Sequence, residues 1–303
     1  MALYAFNGTW NSEKTDDVST PENETASNTN VVRFKGAYGG AVGYYCNGVG
    51  TRVSFLGKAF GGAFGVGGRT RLDEAMTGLA SRFNQGDRAI DIVGFSRGAA
   101  LALAFANRVA KEAKDERGRP AHIRFLGLFD VVGSFGVPFN LGPIRFQEYN
   151  LGYELNLPPN VEFCFHALAL DERRQTFRPT RVHGACEVWF RGSHSDVGGG
   201  NGNEGLNAIA LCWQLHKARA CGLPVEEPHV LTAAAARKPD AAVKFAGFDP
   251  LRNAFRRVAP EDLVHYTVAV PCGNGEYQDP PAGCRRETAD TERQVSRSAL
   301  FSL

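Results

Sequence analysis

One pentapeptide, Gly94-Phe95-Ser96-Arg97-Gly98, constrains this chain more than any other feature of its 303 residues. Directly before it runs Ala89-Ile90-Asp91-Ile92-Val93-Gly94, a short apolar segment with the make-up of a buried strand. Directly after it, residues 99–109 are apolar nearly all round, the pattern of a buried helix. Strand, serine and helix in that order describe a sharp turn with the hydroxyl at its apex. Small flanking residues are required there because neighbouring backbone comes close. The pentapeptide alone is a weak signal in a glycine-rich chain; its setting is what makes it specific. The pattern predicts Ser96 as a nucleophile and weighs against a glycine-lined turn with an incidental serine.

The rest of the chain alternates in the same way. Residues 2–7 read as an opening strand, and Leu72, Ala75, Met76, Leu79, Ala80 and Phe83 have helical spacing, ending at Gly86-Asp87. Residues 123–129, 161–170 and 186–190 are buried-type strands that each end in a polar cluster. Residues 206–221 form a helix pattern, with Asn203 as N-cap and Gly222 as stop. Such alternation predicts an α/β-hydrolase fold: a mostly parallel central sheet, helices on both faces, and a site beyond the carboxyl ends of the strands. One domain over residues 1–303 is expected. It carries a polar surface-loop insertion at about 10–30 and a less regular segment from about 261, where residues 264–270 are the last apolar stretch. The glycine-dense stretch 36–68 reads as tight turns or a mobile lid rather than regular structure.

A serine nucleophile needs a general base. His194 stands where the apolar segment Trp189-Phe190 runs into Arg191-Gly192-Ser193-His194-Ser195-Asp196-Val197-Gly198, at a strand's carboxyl end. His265 is the rival but falls within a strand-like stretch, and His166, inside an apolar run, reads as structural. Two aspartates compete to orient the imidazole: Asp171, after strand 161–170, and Asp130, in Phe129-Asp130-Val131-Val132-Gly133-Ser134. The order of elements favours Asp171, but the earlier position is also used, so both stay open. Asp196, two residues from His194, reads as a brace for the glycine loop. The backbone amides of Arg97 and of Gly8 or Thr9 are the expected oxyanion donors. This chemistry requires no metal and no organic cofactor.

The formal charge of +2 and the lack of any long basic block exclude nucleic acid as an expected partner. Residues 111–119 and Arg173-Arg174 read as solvated surface. The seven cysteines fit no zinc spacing. Cys164, Cys186 and Cys212 read as small core residues, and Cys272 and Cys284 could pair in an oxidising compartment. No signal peptide opens the sequence and no apolar run reaches the roughly 18–20 residues of a membrane span. A product made in the cytoplasm is expected, compatible with export by a system that reads no cleavable signal.

Together, Phe6-Asn7-Gly8-Thr9-Trp10-Asn11, Gly48-Val49-Gly50-Thr51, Gly94-Phe95-Ser96-Arg97-Gly98-Ala99, Phe129-Asp130-Val131-Val132-Gly133-Ser134, His166-Ala167-Leu168-Ala169-Leu170-Asp171-Glu172-Arg173-Arg174 and residues 189–200 form one ordered series. It resembles the α/β-hydrolase family that includes the catalytic domain of type VI secretion phospholipase effectors. The likeness runs from about residue 3 to about 222, and more weakly toward His265. It implies ester hydrolysis with phospholipids as substrate class, and an immunity or secretion partner. Two departures stand out. The first motif usually opens with Asp where this chain has Asn7, and the larger effectors carry a membrane-engaging region for which the chain ends too soon. Peripheral membrane contact is then expected from exposed apolar loops around Phe55, Phe60 and Phe64.

The resulting expectation is a serine-dependent acyl-ester hydrolase of the phospholipase or lipase type, acting on lipid or another hydrophobic ester. A hydrolase of thioester or amide acyl bonds and a catalytically silent binding module are the alternatives.

Overall fold

The computed structural model describes residues 1–8, 28–47, 62–115, 117–133, 154–245, 254–268, 277–298 and 300–301; of residues 62–66 it describes the backbone alone. The elements are, in chain order, β1 (Ala2–Phe6), α1 (Asn30–Ala37), β2 (Ala41–Cys46), α2 (Gly62–Asn84), β3 (Ile90–Phe95), α3 (Arg97–Glu112), β4 (Ile123–Phe129), β5 (Val161–Ala169), β6 (Cys186–Phe190), α4 (His194–Gly198), α5 (Glu204–Ala220), α6 (Glu227–Ala235), β7 (Leu263–Val264) and β8 (Arg285–Arg286). The strands form a single sheet in the order β2-β1-β3-β4-β5-β6-β7-β8, with every neighbouring pair parallel.

Alternation along each strand feeds two cores. Ala2, Tyr4 and Phe6 of β1 pack with α2 and α3 on one face, while Leu3 and Ala5 pack with α1 and α5 on the other. A parallel sheet covered on both faces needs strands that are apolar on both sides, which is why β1, β3 and β4 read as near-continuous hydrophobic runs. From β1 the chain steps outward to β2, then returns to place β3 on the other side of β1. The winding direction therefore reverses between β1 and β3. In open parallel sheets the crevice at the carboxyl ends of such a pair is where ligands sit.

Several local expectations need correction. The glycine-dense stretch contains regular structure: α1 ends in it, and β2 and the start of α2 lie within it. Gly43 is small because a side chain there would meet the ring of Tyr4 at 2.7 Å, so the glycine serves strand-to-strand packing rather than a turn. Residues 28–30, expected in the polar loop, are buried and open α1, where Thr29 caps Val32; residues 9–27 lie outside the described set. Among the described residues of the apolar stretch 264–270, only Val264 lies in a strand, as the second residue of β7, after which the chain turns, with Val268 N–H donating to the His265 carbonyl. No pattern in the sequence announces helix α6. Cys272, Phe55 and Phe60 lie outside the described residues, and Phe64 falls in helical backbone of α2. Among the described residues no helix is long and apolar enough to cross a membrane.

Candidate active site

Ser96 follows β3 directly and precedes the first residue of α3. Its backbone has φ 59° and ψ −127°, a conformation that costs a non-glycine residue about 1–3 kcal/mol and persists only when the surroundings hold it. Those surroundings are visible. Ser96 N–H donates to the Phe129 carbonyl at 3.0 Å, and the Ser96 carbonyl accepts from Ala99 and Val132 at 3.1 and 3.3 Å. The flanking glycines are dictated by close approach. A Cβ on Gly94 would stand 2.6 Å from the Cα of Ala99, and one on Gly98 would stand 2.3 Å from the carbonyl oxygen of Asn7.

Asp130 occupies the equivalent place at the end of the neighbouring strand β4, with φ 43°. It and Ser96 are the two non-glycine residues with positive φ among those described. The backbone strain is thus concentrated on two side chains that approach the same imidazole. His194 Nε2 accepts from Ser96 Oγ at 2.8 Å, and His194 Nδ1 meets Asp130 Oδ2 at 2.5 Å. All three side chains are buried.

His194 is held as firmly as its partners. It opens α4, where Ser193 and Asp196 form a reciprocal capping box. Its backbone N–H donates to Glu172 Oε2 at 3.1 Å, and its ring lies between Phe95 and Phe177, with centroids 4.7 and 4.9 Å away. Burial draws the imidazole pKa below its ordinary value; the Asp130 and Glu172 carboxylates oppose that effect without overcoming it. The neutral form, the one able to accept a proton, is therefore favoured. Asp130 is the reverse case. Burial alone would raise its pKa, but Arg256 and His194 hold the carboxyl well below the usual carboxylate range.

The electrostatics at Asp130 come from a distant segment. Arg256 Nη1 donates to Asp130 Oδ1 at 2.6 Å and Arg256 Nη2 to Oδ2 at 2.9 Å, a two-armed grip that suits a planar guanidinium on a carboxylate. Ala169 N–H adds a third donor at 2.9 Å. Gln278 in turn fixes Arg256, through Nε2 to the Arg256 carbonyl at 2.6 Å.

Asp171, which the order of elements favoured as the partner of His194, is engaged elsewhere. Its carboxylate accepts from Arg191 Nη1 at 2.6 Å, from Gly192 N–H at 2.7 Å and from Gln278 N–H at 2.8 Å. Burial nonetheless leaves its pKa raised. Asp171 fastens the loop before His194 to the C-terminal segment. His265 is also engaged elsewhere: it is fully buried, stacks on Phe190 and bonds Thr267. His166 accepts from Val131 N–H at 3.1 Å and meets Glu187 at 2.9 Å, which steadies the strained turn after Asp130. Asp196 braces the glycine loop, accepting from Ser193, Asn201, Asn203 and Lys244.

Of the expected oxyanion donors, Thr9 lies outside the described residues. The Gly8 N–H donates to Asn7 Oδ1 at 2.8 Å, and that same oxygen accepts from Thr29 Oγ1 at 2.7 Å. Arg97 is the first residue of α3, so its amide lies in the electropositive first turn of a 16-residue helix.

Sequence reasoning missed three groups. Arg256 lies in an irregular segment with no motif. Glu172 carries no signal of its own in the sequence, and the two arginines after it read as solvated surface. Instead Arg174 pairs with Glu172 at 2.8 Å and holds its pKa down at about 2 against the effect of burial. Arg173 lies between the exposed rings of Phe245 and Phe255, at 4.2 and 4.5 Å from their centroids.

The family described as "T6SS, Phospholipase effector Tle1-like, catalytic domain" matches residues 3–111 and 104–217. Among curated proteins none matches. An uncharacterized protein from Pseudomonas aeruginosa, known from its crystal structure, is similar with TM-score 0.52 and 23% identity, over 78% of this chain and 48% of that one. At that identity the likeness speaks to the fold. The Tle1 effector bound to the VgrG spike from the Type 6 secretion system aligns with TM-score 0.44 and 25% identity, over 67% of this chain and 51% of that one. The chain spans about half the length of both solved structures. Arg256 and Gln278 lie beyond the residues that the family match covers.

Proposed function

Because this chain belongs to the family of type VI secretion, Tle1-like phospholipase effector catalytic domains, we propose that it cleaves phospholipid acyl esters through Ser96, His194 and Asp130. The observation that carries this reading is the continuous hydrogen-bond path from Ser96 Oγ through both nitrogens of one imidazole to a buried carboxylate, at 2.8 and 2.5 Å. A serine hydroxyl is a poor nucleophile at neutral pH, and an adjacent neutral imidazole is what activates it.

In this mechanism Ser96 Oγ attacks the acyl carbonyl while its proton passes to His194 Nε2. Asp130 holds the Nδ1 proton and stabilises the imidazolium. His194 then protonates the departing alcohol oxygen, leaving an acyl group on Ser96. Water, deprotonated by the same imidazole, releases the fatty acid. The amide of Arg97, at the start of α3, is the oxyanion donor that the geometry supports best. The Gly8 amide would join only by leaving Asn7 Oδ1. Asp171 has no part in proton transfer.

Lipid as the acyl substrate has its own support beside the family. Phe245 and Phe255 are exposed on either side of Arg173, which directly follows Glu172, the acceptor of the His194 amide. Rings flanking a guanidinium suit the boundary between acyl chains and phosphate head groups. Delivery by a type VI secretion apparatus belongs to the same proposal. Product analysis on defined phospholipid vesicles tests it. The wild type should release fatty acid and lysophospholipid, and Ser96→Ala should release neither. Hydrolysis of thioesters with no action on phospholipid would overturn the substrate assignment.

A further inference from the structure

A second cluster of reactive side chains lies away from Ser96, where α5 meets the C-terminal segment. Cys212 and His216, four residues apart on α5, face Glu292 in the short 3₁₀ helix Thr291–Arg293, and one ligand atom from each falls within 4.8 Å of the other two. Cys212 and Glu292 are buried and His216 is partly buried. His265, in the turn after β7, stands beside this trio, outside the set of mutually close ligand atoms: its Nε2 lies 3.7 Å from Glu292 Oε2.

Contact lengths around Glu292 are unusual. His216 Nε2 stands 3.6 Å away, His265 Nε2 3.7 Å, and Arg237 Nη1 3.5 Å from both oxygens. A charge-assisted hydrogen bond to a carboxylate runs at about 2.7–2.9 Å, so these groups surround the carboxylate without closing on it. His265 Nε2 is fully buried and has no hydrogen-bond partner, which in a folded interior calls for an explanation. Its other nitrogen is engaged, at 2.7 Å from Thr267 Oγ1. A metal-ligating imidazole is oriented in the same way, through the nitrogen that does not bind the ion. Arg237, the competing cation, is anchored on Tyr266 Oη at 2.8 Å and so need not move if an ion enters.

We propose that Cys212, His216, His265 and Glu292 form a structural zinc site that fastens the C-terminal segment to α5. One sulfur, two imidazole nitrogens and one carboxylate oxygen are a donor set that zinc accepts, and four protein ligands leave no position open for catalysis. Bonds of about 2.0–2.3 Å place tetrahedral ligands roughly 3.3–3.8 Å apart, so Cys212, His216 and Glu292 require contraction of up to about 1.5 Å, and His265, already 3.7 Å from Glu292, must approach the other two. Binding releases the Cys212 proton, and thiolate plus carboxylate then balance the charge of the ion. Cysteine spacing could not reveal such a site, because only one ligand is a cysteine and the others span 76 residues from His216 to Glu292.

Zinc analysis of the untagged full chain tests this inference independently of the hydrolase reading. The wild type should retain about one zinc per chain after dialysis. The metal-free protein should gain several degrees in melting temperature with zinc chloride and none with magnesium chloride. Cobalt(II) in place of zinc should give a thiolate charge-transfer band. His216→Gln, altering the most exposed ligand, should fold yet lose most of the zinc-dependent shift, and Cys212→Ser should abolish the cobalt band. Wild type that retains no zinc and shows no zinc-dependent shift would overturn the proposal. So would zinc retained equally by the wild type and both variants.

Discussion

Arg256 grips both carboxylate oxygens of Asp130, at 2.6 and 2.9 Å, while one of those oxygens also meets His194 Nδ1 at 2.5 Å. The guanidinium keeps the carboxylate ionised, and its positive charge also disfavours an imidazolium on His194. In the proposed mechanism Arg256 is thus a positioning residue that acts on the base through the acid.

A pH signature follows. The acid limb of kcat/KM reports the base of the free enzyme, so in the wild type it should lie below the ordinary histidine value of 6.5, with activity lost as pH falls through it. Arg256→Met removes a charge that depresses the His194 pKa, so the limb should move to higher pH and kcat should fall. Arg256→Lys should leave the limb near its wild-type place, because the charge stays, while kcat falls with loss of the two-armed grip. An unchanged limb in Arg256→Met, measured on a soluble ester, would contradict the coupling.

The two aspartates should separate cleanly. Asp130→Asn is expected to lower kcat by about 10³–10⁴-fold, because the amide cannot hold the required Nδ1–H tautomer. Asp171→Asn removes the anion facing buried Arg191 and should instead destabilise the fold, by about 3–5 kcal/mol at most, with far less effect on turnover by the folded fraction. Denaturant unfolding beside active-site titration measures both effects. The opposite pattern would return Asp171 to the triad.

How far sequence reasoning reached depends on how local each signal is. The turn that carries Ser96 was legible because strand, glycine, serine and helix are contiguous, and the strand-end place of His194 because the strand runs into a glycine loop. Which of Asp130 and Asp171 meets His194 was not legible. Both leave adjacent parallel strands at the carboxyl edge, and what separates them is a backbone twist at Asp130 and the arginine that claims each. Arg191 takes Asp171, and Arg256 reaches Asp130 from 126 residues away. Arg173 and Arg174 looked like surface charge because nothing in their sequence announces a buried Glu172 or two flanking rings. The parallel sheet was legible from alternating apolar segments. Edge strand β2, half-buried and broken by Gly43, carried no such pattern.

Close approach at the turn makes a stability prediction. Gly98→Ala would place a methyl group 2.3 Å from the Asn7 carbonyl oxygen, so α3 must shift off the end of β1. Overpacking of this kind costs about 1–3 kcal/mol and would also displace Ser96. A lowered melting temperature together with a loss of serine labelling is the expected pair. Wild-type values for both would mean that the turn is looser than its geometry indicates.

The exposed rings predict a split between substrates. Phe245→Ser combined with Phe255→Ser should lower turnover on phospholipid vesicles by about tenfold or more, each ring lost from an apolar interface costing a sizeable part of the roughly 1.5–3 kcal/mol that burial of a Phe side chain supplies. Turnover of a short soluble ester should fall much less. Equal losses on both substrates would remove these residues from interfacial contact.

The central claim, that Ser96 is the nucleophile of an acyl-ester hydrolase, is tested most directly by intact-mass analysis after exposure to a fluorophosphonate. The wild type should gain one phosphonyl adduct, which peptide mapping places on Ser96, and Ser96→Ala should gain none. Labelling of Ser96→Ala at the wild-type rate would contradict it.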